Sequence, residues 1–104
     1  MDNLIDLIDV NSYEMRKGKT VNMTELLEQF DHEFEIDLTA SISANDSYEA
    51  VSNETFNDLL KVKAKLYLLF ELDYLTHTEY EAIAGVAEEM RLKKLEELKN
   101  ERNS

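Results

Sequence analysis

The chain has no cysteine, no proline and no tryptophan, and glycine stands only at Gly18 and Gly85. Without cysteine there is no disulfide, no thiolate metal ligand and no thiol nucleophile, so the fold does not depend on the redox state of its compartment. Without proline, and almost without glycine, the sequence lacks the punctuation that a many-turned β protein needs, which favours helix. Long apolar runs are missing too. The longest unbroken one is Leu66 to Phe70, far short of the ~18 residues of a membrane span. The start, Met1 to Asp6, lacks the basic n-region of a signal peptide. These absences lead us to expect one cytoplasmic domain of 104 residues, large enough to fold around its own core.

The most telling absence is of positive charge. Between Lys19 and Lys61 there is no lysine or arginine, yet there are ten carboxylates: Glu25, Glu28, Asp31, Glu33, Glu35, Asp37, Asp46, Glu49, Glu54 and Asp58. Residues 1–60 carry 14 acids and three bases, whereas residues 61–104 carry nine and eight. The net charge of −12 therefore sits almost wholly in the first part of the chain. A stretch of one sign repels nucleic acid and anionic lipid and attracts basic protein surfaces. The expected partner is a basic protein, with no direct nucleic-acid contact and no membrane. The same stretch holds Leu26, Leu27, Phe30, Phe34, Ile36, Leu38, Ile42, Val51 and Phe56, enough apolar surface for a folded segment.

Periodicity supplies the elements. Asp2 to Lys17 reads as an amphipathic helix, with Leu4, Ile5, Ile8 and Met15 on one side and Asp2, Asp6 and Asp9 on the other. Gly18 would take its left-handed cap position. Asn22 with Glu25 has capping-box spacing. After it, Met23, Leu26, Leu27, Phe30 and Phe34 share a face, and Glu25, Glu28, Asp31 and Glu35 are expected opposite. From Phe34 to Ile42 apolar and polar residues alternate, so helix to about Leu38 has a short strand near 34–42 as its alternative. Ala44 to Ser47 is a turn. Asp46 with Glu49 offers a second capping box, and Ser52 or Asn53 is expected to start a helix over 54–73. Thr76 with Glu79 makes a third capping box ahead of a last helix over 77–99, whose Ala82, Ala84, Gly85 and Ala87 keep its first half slim.

Sequence motifs that suggest chemistry have simpler readings. Gly18-Lys19-Thr20 ends like a phosphate-binding loop, but the glycine required five residues earlier is Tyr13. Asp31-His32-Glu33 with Glu35 and Asp37 is rich in ligand atoms, but neighbours radiating from one element do not converge on an ion. His32 and His77 have no nucleophile elbow or glycine-rich oxyanion loop near them. Lys61 and Lys63 point about 200° apart on a helix and form no patch. No catalytic residue, metal ligand or cofactor is expected, and the chain does not read as an enzyme.

The expected fold is mainly α: a small helical bundle built on a C-terminal antiparallel hairpin, 54–73 with 77–99. In size, acidity, absence of cysteine and absence of a catalytic motif the chain resembles small inhibitors encoded by phages and mobile elements, among them anti-restriction and anti-CRISPR proteins that imitate DNA. The likeness is compositional and covers no diagnostic motif. It implies an inhibitor that occupies the basic nucleic-acid-binding groove of a host protein. Glu25, Glu28, Asp31, Glu35 and Asp37 would carry the contact, with Asp46 and Glu49 at its rim. One carboxylate per turn gives a charge every ~5 Å, comparable to the phosphate repeat of a duplex. The alternative is a helical homo-oligomeric adaptor or assembly protein, a homodimer in its simplest form, that pairs through Leu92, Leu95 and Leu98.

Overall fold

The computed structural model describes residues 23–103, which form three helices: α1 (Met23–Ala44), α2 (Tyr48–Glu71) and α3 (His77–Asn103). The fold is a mainly α small bundle, with no strand among the described residues. The helix expected over 2–17, its Gly18 cap and the Asn22 cap lie outside them.

The strand alternative at 34–42 is corrected to helix. Phe34 and Leu38 are buried and Ile42 packs on a buried cluster, whereas Ile36 is 53% exposed. Burial at every fourth residue is a helical signature. A strand would have put Phe34, Ile36 and Leu38 on one face. The helix therefore runs past Leu38 to Ala44, where the Asn45 side-chain amide donates to the Ser41 carbonyl at 2.9 Å.

α2 also starts earlier than expected. Its N-cap is Ser47, whose hydroxyl accepts from the Ala50 N–H at 3.1 Å, in place of Asp46, Ser52 or Asn53. This satisfies one of the N–H groups that a helix start leaves without a partner. α2 ends in a Schellman turn: the Asp73 N–H donates to Phe70 O at 3.0 Å and the Tyr74 N–H to Leu69 O at 2.8 Å. Asp73 holds the left-handed position with φ 65°, where glycine is usual. The third capping box forms reciprocally, with the Thr76 N–H donating to Glu79 Oε1 at 2.9 Å and the Glu79 N–H to Thr76 Oγ1 at 3.1 Å.

α2 is the central element, packed against both α1 and α3. The main core joins Leu27, Phe34 and Leu38 of α1, Leu59, Val62, Leu66 and Leu69 of α2, and Ile83, Ala84, Val86 and Ala87 of α3. Full burial of one such leucine stabilises by about 1.5–3 kcal/mol. The slim half of α3 does approach α2 through Ala84 and Ala87, but Gly85 is not needed for that approach, since a Cβ added there meets nothing within 4 Å. A second cluster at the far end holds Val51, Leu95 and Leu98, with Ile42 against it.

Two charged side chains are built into these contacts. Arg91 of α3 is only 9% exposed. Its Nε donates to Thr55 Oγ1 at 3.2 Å and its Nη2 to the Ser52 carbonyl at 2.9 Å, while its guanidinium lies 5.4 Å from the centre of the Phe56 ring. Asp58 of α2 is 6% exposed and accepts from the Ser41 hydroxyl of α1 at 2.6 Å.

Candidate interaction site

α1 carries six carboxylates and no lysine or arginine. Its helical rotation, about 100° per residue, sorts them relative to the buried line Leu27–Phe34–Leu38. Glu28 and Glu35 lie seven residues apart, almost in one row, about 80–100° from Leu27 on one flank. Both are exposed, as is Glu25 one turn before Glu28. Asp31 lies only about 40° from Leu27 and is half-buried. The four-carboxylate row expected opposite the core is thus three exposed carboxylates, with Asp31 turned toward the interior. Sequence spacing alone had made Leu26 a core position; it packs only partly, and the inward stripe passes through Leu38 instead.

Glu33 and Asp37 fall on the opposite flank, toward α2. Asp37 is half-buried, and its charge, together with that of Glu54, adds to the rise in the Asp58 pKa. The first cause of that rise is burial, and the hydrogen bond from Ser41 opposes it. Glu33 is held by Lys65 of α2 at 2.7 Å and accepts from the Gln29 side chain at 3.2 Å. The Lys65 hydrogen bond is the main reason its pKa lies below the usual carboxylate value. The same ammonium sits 5.3 Å from the centre of the Phe30 ring.

Asp46 and Glu49 are exposed, in the α1–α2 turn and the first turn of α2. They stand roughly 25 Å along the α1 axis from Glu28, so the structure does not gather them with Glu25 and Glu28. Cations from elsewhere in the chain do come close. Lys65 pairs with Glu33, and the Lys94 ammonium lies 3.9 Å from Glu35. The stretch from 20 to 60 is purely negative in sequence, but its surroundings in the fold are not. Pairs separated by 32 and 59 positions leave no local sequence signal.

The exposed flank also has an apolar patch. An open depression of about 520 Å³ is lined, among the described residues, by His32, Glu35, Ile36, Thr39 and Ala40. A partly exposed apolar centre with a polar rim is the layout of many protein interfaces. Of the alternative pairing residues, Leu92 is 51% exposed, whereas Leu95 and Leu98 are buried against Val51 within the same chain. A helix starting at 54, as the sequence leads one to expect, would stop short of Leu95 and Leu98. The helix begins at Tyr48, and its first turns cover both leucines.

Among the described residues no group of three or more His, Cys, Asp or Glu is arranged to hold a metal ion, and no helix is long and apolar enough to cross a membrane. Comparison of the chain with protein-family models, with curated proteins and with solved structures finds no match.

Proposed function

We propose that this protein is a small acidic binding domain, an inhibitor of the phage or mobile-element type, whose α1 surface occupies the basic nucleic-acid-binding groove of a partner protein. The observation that carries this reading is the helix α1 itself, with six carboxylates and no lysine or arginine over 22 residues. Glu25, Glu28 and Glu35 form the contact, with Ile36 beside them as its apolar centre. Glu33 is already engaged by Lys65 and contributes mainly to holding α1 on α2. A groove shaped for phosphates offers Lys and Arg side chains that form charge-assisted hydrogen bonds with carboxylates. Complementary charge also speeds encounter and makes binding sensitive to salt.

The test is capture from a nuclease-treated bacterial lysate with elution in a salt gradient. Wild-type protein is expected to retain a discrete nucleic-acid-binding protein that moderate salt releases. Glu28→Lys with Glu35→Lys should abolish that retention while leaving the circular dichroism melt unchanged. Equal retention by the double variant would remove this face from consideration.

A further inference from the structure

We propose that the back of the α2–α3 hairpin is where two copies of this chain pair, as a weak dimer with both α1 helices outermost. The proposal is independent of what α1 binds.

The face is located by contacts on the page. Lys65 meets Glu33 and Phe30 of α1. Lys63, about 200° around the same helix, lines instead a groove of about 270 Å³ with Tyr80, Glu81, Ala84, Gly85 and Glu88 of α3. The groove has a small-residue floor, and a Cβ added at Gly85 would meet nothing within 4 Å. Tyr67 borders it at one end, its ring 5.7 Å from that of Tyr80. Phe56, two turns before Lys63 on the same face of α2, lies under the Arg91 guanidinium. Phe56, Leu60, Tyr67 and Leu92 are 48%, 47%, 49% and 51% exposed. Large side chains of roughly 200 Å² each, half exposed, leave on the order of 400 Å² of apolar surface per copy. Two such faces with their polar rims reach the ~1,000 Å² that a specific but weak interface needs.

Charge selects a second copy as the occupant and also selects its orientation. The hairpin, residues 48–103, carries twelve acids and eight bases, whereas α1 carries six acids and no lysine or arginine. Pairing through the hairpin keeps the two acidic α1 helices apart, whereas pairing through α1 would oppose six carboxylates with six. The cross-helix contacts fix which residues are level. Tyr67 faces Tyr80 and Phe56 faces Arg91, so Lys63 is level with Ala84, about one turn from Glu81 on one side and Glu88 on the other. A two-fold axis parallel to the helices sets α2 of each copy on α3 of the other at the same level. Phe56 then meets Leu92, and Lys63 falls between the Glu81 and Glu88 carboxylates of the second copy. The perpendicular two-fold would set α2 on α2 and α3 on α3, and would take Lys63 away from the Glu81 and Glu88 carboxylates of the second copy.

Sedimentation equilibrium of the full chain from roughly 1 μM to 1 mM covers the affinity range of a weak dimer. The expected result is a monomer–dimer equilibrium. Leu60→Glu and Leu92→Glu should each weaken it at least about tenfold with unchanged melting, and Lys63→Glu should weaken it as well. Leu72→Gln, about 120° around from Leu60, should dimerise like wild type. A wild type that stays monomeric throughout overturns the proposal. Dimers indifferent to Leu60→Glu and Leu92→Glu overturn the face, and tighter pairing of Lys63→Glu overturns the orientation.

Discussion

α1 and the α2–α3 hairpin are built on different chemistry. The hairpin, residues 48–103, mixes twelve acids with eight lysines and arginines, and its helices are joined by a Schellman turn, a reciprocal capping box and a buried arginine. α1 carries six negative charges and is tied to α2 by Leu27, Phe34 and Leu38, by the Ser41–Asp58 hydrogen bond and by the exposed Lys65–Glu33 pair. The hairpin reads as a scaffold, and α1 as the surface that the scaffold displays. Like charges one turn apart on α1 repel one another, so its helicity leans on the apolar contacts beneath it rather than on its own surface.

The sharpest way to break this contrast is to cut into each region's apolar contacts. Leu66→Ala, at a fully buried position in the middle of α2, should cost about 2–5 kcal/mol in urea unfolding. Ile36→Ala, at a half-exposed position on the outer face of α1, should change stability by less than ~0.5 kcal/mol. Similar costs for the two would mean that α1's outer face is covered, and that scaffold and display surface are not separate.

A smaller effect probes the joint between the two regions. Burial, chiefly, raises the Asp58 pKa above its ordinary value. A carboxyl whose folded pKa is raised binds its proton more tightly when folded, so its ionised form lowers stability above that pKa and the loss disappears as pH falls through it. Asp58→Asn should therefore be more stable than wild type at neutral pH, by on the order of 1 kcal/mol, with the gap closing under acid. Thermal melts of both proteins across the acid range measure it. A gap that widens on acidification would show that Asp58 is held by a cation rather than by Ser41.

The smallest effect sharpens the picture of the scaffold. Asp73→Gly should stabilise the hairpin by up to about 1 kcal/mol, because a side chain at φ 65° is strained where glycine is not. An unchanged denaturation midpoint would mean that the Asp73 carboxylate offsets the strain.

Much of the hairpin was legible in the sequence, because Leu59 and Leu66 recur at helical spacing, Ala84 and Ala87 keep α3 slim and Thr76 with Glu79 marks its start. The start of α2 was not, since Asp46, Ser47, Ser52 and Asn53 are all plausible caps and only packing chooses among them. Alternation over 34–42 matched a strand and a helix about equally, and burial of Phe34 and Leu38 with Ile36 exposed decided it. For the candidate site, the amount of charge was legible but its direction was not. Asp31 turns inward because the stripe passes through Leu38, and Lys65 and Lys94 reach Glu33 and Glu35 from distant parts of the chain.

Leucine, valine and alanine surfaces tolerate sliding, so two helices held together by them alone have several pairings of similar energy. Arg91 removes that freedom. Its fork reaches the Ser52 carbonyl and the Thr55 hydroxyl with the Phe56 ring alongside, and a slip of α3 by one turn would leave a cation under cover with no acceptor. One polar peg in an otherwise greasy seam thus indexes α3 against α2, and with it the position of every side chain that the hairpin presents.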